Sequence, residues 1–205
     1  MSIINNVKVY GLEESIKRAK YPMSVDVDSL NSDLTPGIQA LGNAKRGSGH
    51  DNFLKGIVVQ FDLTFTVKAW TEGERYHWFD IISSQSTMHR ITKFDLDKSY
   101  IRYVDYRIVE IMKEKVERYN RLVALRPEVK LPEYEAEIEE AYLEVLYSNP
   151  VGFKLTAGMT TNYQQLKTIY FQRKTHRLPE WKETCDWIET LPMFKELCLR
   201  GDNNG

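Results

Sequence analysis

From Ile57 to Lys68 the chain alternates. Ile57, Val59, Phe61, Leu63, Phe65 and Val67 fall on one side of an extended backbone, and Val58, Gln60, Asp62, Thr64, Thr66 and Lys68 on the other. Successive side chains of a strand point to opposite faces, so this period of two predicts a long strand with one face buried. Elsewhere the period is helical. A short strand over 7–10 is followed by a helix over 13–20, whose apolar side is Leu12, Ile16 and Ala19. The polar stretch after Tyr21-Pro22 has weak periodicity, with a helical turn or two over 37–44. Glu72-Gly73-Glu74 reads as a turn, and Tyr76, Phe79, Ile82 and Ser83 predict a helix over 75–86. A long helix over 103–125 places Val104, Ile108, Ile111, Val116, Tyr119 and Val123 inward, and Arg126-Pro127 ends it. Pro132 opens the next helix, because a first turn does not need its missing N–H. Ile138, Ala141, Tyr142, Val145 and Leu146 form its stripe, glutamates face water, and Asn149-Pro150 stops it.

Thr161 followed by Gln164 fits a capping box and predicts a further helix. On it Asn162, Leu166, Ile169, Tyr170, Arg173 and Arg177 share one stripe. A guanidinium does not neutralise, so on a core-facing stripe it must meet an anion, either a protein carboxylate or a ligand oxyanion. The residues leave both options open. The helix is expected to close near 175–177, and Pro179 opens another carrying Trp181, Cys185, Trp187 and Ile188. Leu191-Pro192 breaks the chain again before a short helix over 193–199. The sum is an α+β fold, a small antiparallel sheet flanked by long helices. With 205 residues, 42% of them hydrophobic, and no Gly/Ser-rich or Pro-rich linker, one domain over 1–205 is expected.

Charge narrows the partners. A net charge of -1 gives no field that would gather polymeric nucleic acid or an anionic membrane, so any anion must be held by a local cluster. Residues 1–6 are too short and polar for a signal peptide, and no apolar run approaches a bilayer span, which points to the cytoplasm. Cys185 and Cys198 make no paired-thiol motif. Histidines 50, 77, 89 and 176 have no helical spacing for a zinc site, so no metal is expected. Gly47-Ser48-Gly49, flanked by Lys45, Arg46 and His50, lacks phosphate-loop spacing and follows no predicted strand, so it reads as a mobile turn.

Ser83-Ser84-Gln85-Ser86-Thr87-Met88-His89-Arg90, continuing through Lys93 and Asp95 to Ser99 and Arg102, concentrates hydroxyls, an amide, an imidazole and cations. This suits a ligand-facing loop. It also suits a helix C-terminus at which His89 and Arg90 complete the dipole. Together with the C-terminal helix, the segment resembles the flavin-dependent thymidylate synthase family over most of the chain. The family's Gln-x-x-Arg-His-Arg and following Ser are met by Gln85, Met88-His89-Arg90 and Ser99. Its later Asn, Arg, basic residue and Gln-Trp-Glu-like stretch are met by Asn162, Arg173, Arg177 and Glu180-Trp181.

The resemblance implies a fold of that family, with Arg173, Arg177, Ser99 and Arg90 on a dUMP substrate and Gln85, His89, Arg90 and Asn162 on FAD. It implies hydride from reduced flavin, a carbon from methylenetetrahydrofolate, no enzyme nucleophile, and a homotetramer. The sequence departs from the pattern at several points. Met88 and Ser84 stand where arginines are common, Ser99 lies one residue further on, and Leu54-Lys55 replaces a frequent Glu-His. Each lost charge-assisted hydrogen bond weakens a diphosphate site by about 1.5–3 kcal/mol. Three functions fit: a uridylate-modifying flavoenzyme, a catalytically degenerate nucleotide-binding or sequestering protein of the same fold, and an oligomeric scaffold whose arginines form subunit salt bridges.

Overall fold

The computed structural model of the chain describes residues 2–126, 128 and 131–200. In chain order its strands and α-helices are β1 (Ile4–Tyr10), α1 (Leu12–Arg18), α2 (Pro36–Gly42), β2 (Val58–Thr66), α3 (Val67–Gly73), β3 (Phe79–Ser84), α4 (Thr87–Arg90), α5 (Leu96–Ser99), α6 (Tyr106–Leu125), α7 (Pro132–Ser148), β4 (Lys154–Asn162), α8 (Tyr163–Arg173), α9 (Pro179–Ile188) and α10 (Phe194–Cys198). The strands form one four-stranded sheet in the order β1-β2-β4-β3. β2 runs antiparallel to β1, with Ile4 opposite Leu63 and Tyr10 opposite Val58 and an irregularity between Asn5 and Lys8. As the alternation predicts, β2 buries Val59, Phe61, Leu63 and Phe65. Gly11, at φ 71, turns the chain from β1 into α1 where a Cβ would lie 2.5 Å from the Gly56 carbonyl oxygen, an approach only glycine permits.

Four elements differ from the pattern. The helix expected over 75–86 is β3, which buries Phe79 and exposes Ile81 and Ile82. The expected turn at Glu72-Gly73-Glu74 begins inside the end of α3. β4 carries no strong strand signal because its buried alternate positions include the small Ala157 and the polar Thr161, with Gly158 between Ala157 and Met159. α6 buries Met112 and Val116, with Val109 half-buried, and turns Ile108 and Ile111 outward, so its inner face is rotated from the expected one. Pro127, expected to end this helix, lies outside the described residues.

By internal contacts the described residues group into two compact units, one within 1–63, 71–83 and 157–205, the other within 64–70 and 84–156. The first is centred on Trp181, Tyr163, Phe194, Ile16, Leu54 and Leu63, all essentially without solvent exposure. Tyr163 meets Phe194 edge-on at 5.0 Å. The second packs Ile91, Tyr100, Met112, Val116, Val145 and Phe153. In it α7 presents Ile138, Ala141 and Val145 inward, as its stripe predicts.

Candidate functional site

Asn162 closes β4 and begins α8. Its Oδ1 accepts the Gln165 N–H at 2.9 Å, capping the helix one residue later than the expected Thr161 cap. The amide NH2 of Asn162 has no protein partner among the described residues, although the residue is only 9% exposed. That NH2 is a donor open to a ligand on an otherwise largely buried residue. It lines a cavity of about 300 Å³ in the first unit, together with Arg46, Lys55, Trp78 and Gln165. Asn162, Lys55 and Trp78 also line an adjoining cavity of about 430 Å³, with Asp80 and Thr160. Trp78 is left-handed at φ 62 and 66% exposed. Its carbonyl accepts the Thr161 hydroxyl at 2.5 Å. For a bulky side chain that backbone conformation costs about 1–3 kcal/mol.

The wall of the smaller cavity is the basic loop after α2. A lysine inside the first unit holds it. Lys167 Nζ donates to the carbonyls of Gly42 at 2.8 Å and Ala44 at 2.7 Å, and to Asp51 Oδ2 at 2.9 Å. The second oxygen of Asp51 accepts Gln164 Nε2 at 2.8 Å. Side-chain exposures of 0% for Lys167 and 1% for Asp51 require this saturation, since an unpaired charge at that depth is strongly unfavourable. The loop that reads as a mobile turn is thus tied on both sides of Gly47 and Gly49, each at φ 81. Sequence reasoning passed over Lys167. The available signal was its position beside Leu166 on the buried arc of α8.

Arg173 does face inward, but not toward open space. Its Nη1 donates to Glu72 Oε2 at 2.9 Å and its Nε to the Tyr76 hydroxyl at 2.8 Å. The guanidinium lies over the rings of Trp181 at 4.9 Å and Tyr76 at 5.4 Å. His176 Nε2 reaches the same Glu72 oxygen at 3.1 Å. The anion that this charge meets is a carboxylate of the chain itself, one of the two options its place on the stripe left open. α8 ends at Arg173, so Arg177 lies beyond the helix, exposed and off the shared stripe. Neither arginine lines the cavities at Asn162.

In the second unit Gln85, Ser86, Arg90, Lys93, Phe94 and Asp95 surround a cavity of about 400 Å³. Gln85 extends the ladder beyond β3, its N–H donating to Thr156 O at 2.9 Å and its Oε1 accepting Thr156 N–H at 2.9 Å. Its amide NH2 has no protein partner among the described residues. Arg90 ends α4, exposed and without a carboxylate partner among the described residues. His89 is exposed on the same turn and does not line the cavity. The Ser99 hydroxyl donates to Asp95 O at 2.6 Å, closing α5. The Lys98 ammonium, 2.8 Å away, holds the Asp95 carboxyl below its ordinary range.

Neither cysteine is a nucleophile in this setting. Burial pushes the Cys185 thiol up to about 12 and raises that of Cys198 as well. Among the described residues no group of three His, Cys, Asp or Glu side chains is placed to hold a metal ion. No helix among them is long and apolar enough to cross a membrane. In each unit, taken by itself, an amide NH2 without a protein partner stands beside a cation without a carboxylate among the described residues, a donor pair that suits an anionic ligand with polar edges.

No family model and no curated protein matches the sequence. The fold has close counterparts. A crystal structure of the flavin-dependent thymidylate synthase ThyX from Helicobacter pylori, complexed with FAD and dUMP, superposes with a TM-score of 0.66 at 12% identity, over 98% of each chain. A second Helicobacter pylori ThyX structure, with FAD and dUMP, gives 0.65 at 13% identity, over 96% of this chain and 97% of that one. The chain has the α+β fold of these enzymes.

Proposed function

We propose that the protein is a nucleotide-binding flavoenzyme that takes FAD and a uridylate-type mononucleotide and transfers a methyl or other one-carbon group, with a folate as carbon donor. The observation that carries this reading is the likeness over 98% of both chains to an enzyme complexed with FAD and dUMP. FAD, when reduced, would supply the hydride. The chain's own contribution is binding and orientation. In the second unit Gln85 offers its free amide, Arg90 its guanidinium and His89 its imidazole to the flavin, and Arg90 can also meet substrate phosphate. In the first unit Asn162 offers its NH2. Arg177 is exposed and available to the nucleotide phosphate, whereas Arg173 keeps Glu72, Tyr76 and His176 in register beside it. Ser99 would have to release Asp95 to reach a substrate. The proposed setting is a cytoplasmic homotetramer.

A specific observation favours a second reading, a nucleotide-binding protein without flavin chemistry. Met88 and Ser84 add no cation, and Arg173 is neutralised within the chain. Two measurements on purified protein separate the readings. Flavoenzyme function predicts a yellow protein, or one that becomes so with added FAD, and a melting temperature that rises with dUMP dose through linkage. A colourless protein with a dUMP shift supports the binder. Absence of both responses rejects the two readings together.

A further inference from the structure

We propose that Trp78 is the stacking platform for the aromatic ring of the bound nucleotide, and that Arg46 and Lys55 beside it take the ligand's phosphate. This rests on the nucleotide-binding reading above and assigns it to Trp78 and Arg46, which the family-like pattern does not single out, and to Lys55, which stands where that pattern often has a His. Trp70 and Trp181 are 8% and 0% exposed, whereas Trp78 is 66% exposed. Its indole is held in water by a left-handed backbone, and Thr161 fixes its carbonyl. A large ring kept exposed at the expense of backbone strain is the mark of a surface awaiting a partner. Trp78 borders both cavities at Asn162, together with Lys55.

Charge supports the second half. Arg46 and Lys55 have no carboxylate partner among the described residues, and Asp51 in the same wall is already matched by Lys167. Asp80 borders the adjoining cavity, not this one. The 300 Å³ cavity therefore carries a positive surplus. The Arg46 guanidinium is steadied over the Phe171 ring at 5.6 Å. Nothing crowds the Cα of Gly47 within 4 Å of where a Cβ would lie, so the backbone there is open to a ligand. An aromatic face flanked by paired cations and amide donors fits a phosphorylated heteroaromatic, and both FAD and a mononucleotide have that chemistry.

The test titrates the full-length protein with dUMP and, separately, FAD, by calorimetry and by quenching of tryptophan fluorescence, with deoxyuridine and riboflavin as controls lacking phosphate. Trp78→Gly is expected to weaken binding about tenfold or more, the size of one lost base–aromatic stack. It is also expected to melt at a higher temperature than wild type, because glycine relieves the left-handed strain. Trp78→Phe should stay near wild type in affinity. Arg46→Ala/Lys55→Ala should bind the phosphorylated ligand no better than its unphosphorylated control. The ligand whose affinity falls identifies the occupant. Wild-type binding of either ligand that is indifferent to all these variants overturns this proposal and leaves the nucleotide-binding reading standing. Wild-type binding of neither overturns both.

Discussion

Lys167 shows how much of the site depends on a residue that never touches it. Its ammonium has three acceptors and no solvent, and it joins the end of α2 and Asp51 to α8. Lys167→Met would leave the Asp51 carboxylate buried and unpaired, at an expected cost of about 3–5 kcal/mol in denaturant unfolding. A Lys167→Met/Asp51→Leu double variant should recover a substantial part, because it removes the orphaned charge; no recovery would mean that the loss came from packing alone. At this scale the sequence was only half legible. It marked Arg173 as a cation on an apolar stripe, which is correct, but its partner Glu72 stands 101 positions away. Asp51 stands 116 positions from Lys167. Local spacing carries no information about pairs made by tertiary packing, so whether the stripe's charge met a ligand or the protein could not be read.

The start of α8 ties element to function, since one side chain serves both. Asn162 caps the helix with its oxygen and presents its NH2 to the cavities. Asn162→Ala is expected to lose the cap, at about 1 kcal/mol, together with the ligand contact. Asn162→Asp retains an acceptor at the cap and adds a negative charge that the helix N-terminus favours. It should therefore keep the melting temperature while weakening FAD or dUMP binding. Equal losses of stability and affinity in the two variants would show that Asn162 serves only the helix. The elements themselves were legible where one face is strongly apolar, as in β2 and α7. They were not legible where strands are built otherwise: β3 exposes Ile81 and Ile82, so its spacing imitates a helix, and β4 buries Ala157 and Thr161, which give little apolar contrast. The cap signal lay one residue early because Thr161 and Asn162 are both good caps, and the hydroxyl of Thr161 is used on Trp78.

For the whole molecule the decisive residues are large apolar side chains that the structure leaves outside, of which the helical period had assigned Ile108 and Ile111 to the core. On α6, Ile108 and Ile111 are 39% and 50% exposed, and on α7, Leu143 and Tyr147 are 41% and 87% exposed. Spacing of three or four sets each pair on one helix face, and periodicity cannot distinguish a face buried in the subunit from one buried against another subunit. In the proposed homotetramer these faces would be covered by further copies of the chain. Light scattering should then give a mass well above the 24.0 kDa of one chain. Ile108→Glu/Ile111→Glu places charges on that face without touching Met112 or Val116, so the subunit should stay folded by circular dichroism while the mass falls. A site completed by neighbouring copies would lose FAD or dUMP affinity in the same variant. A wild-type mass of one chain would remove the oligomer from the proposal, and unchanged affinity in a dissociated variant would place every binding residue within a single subunit.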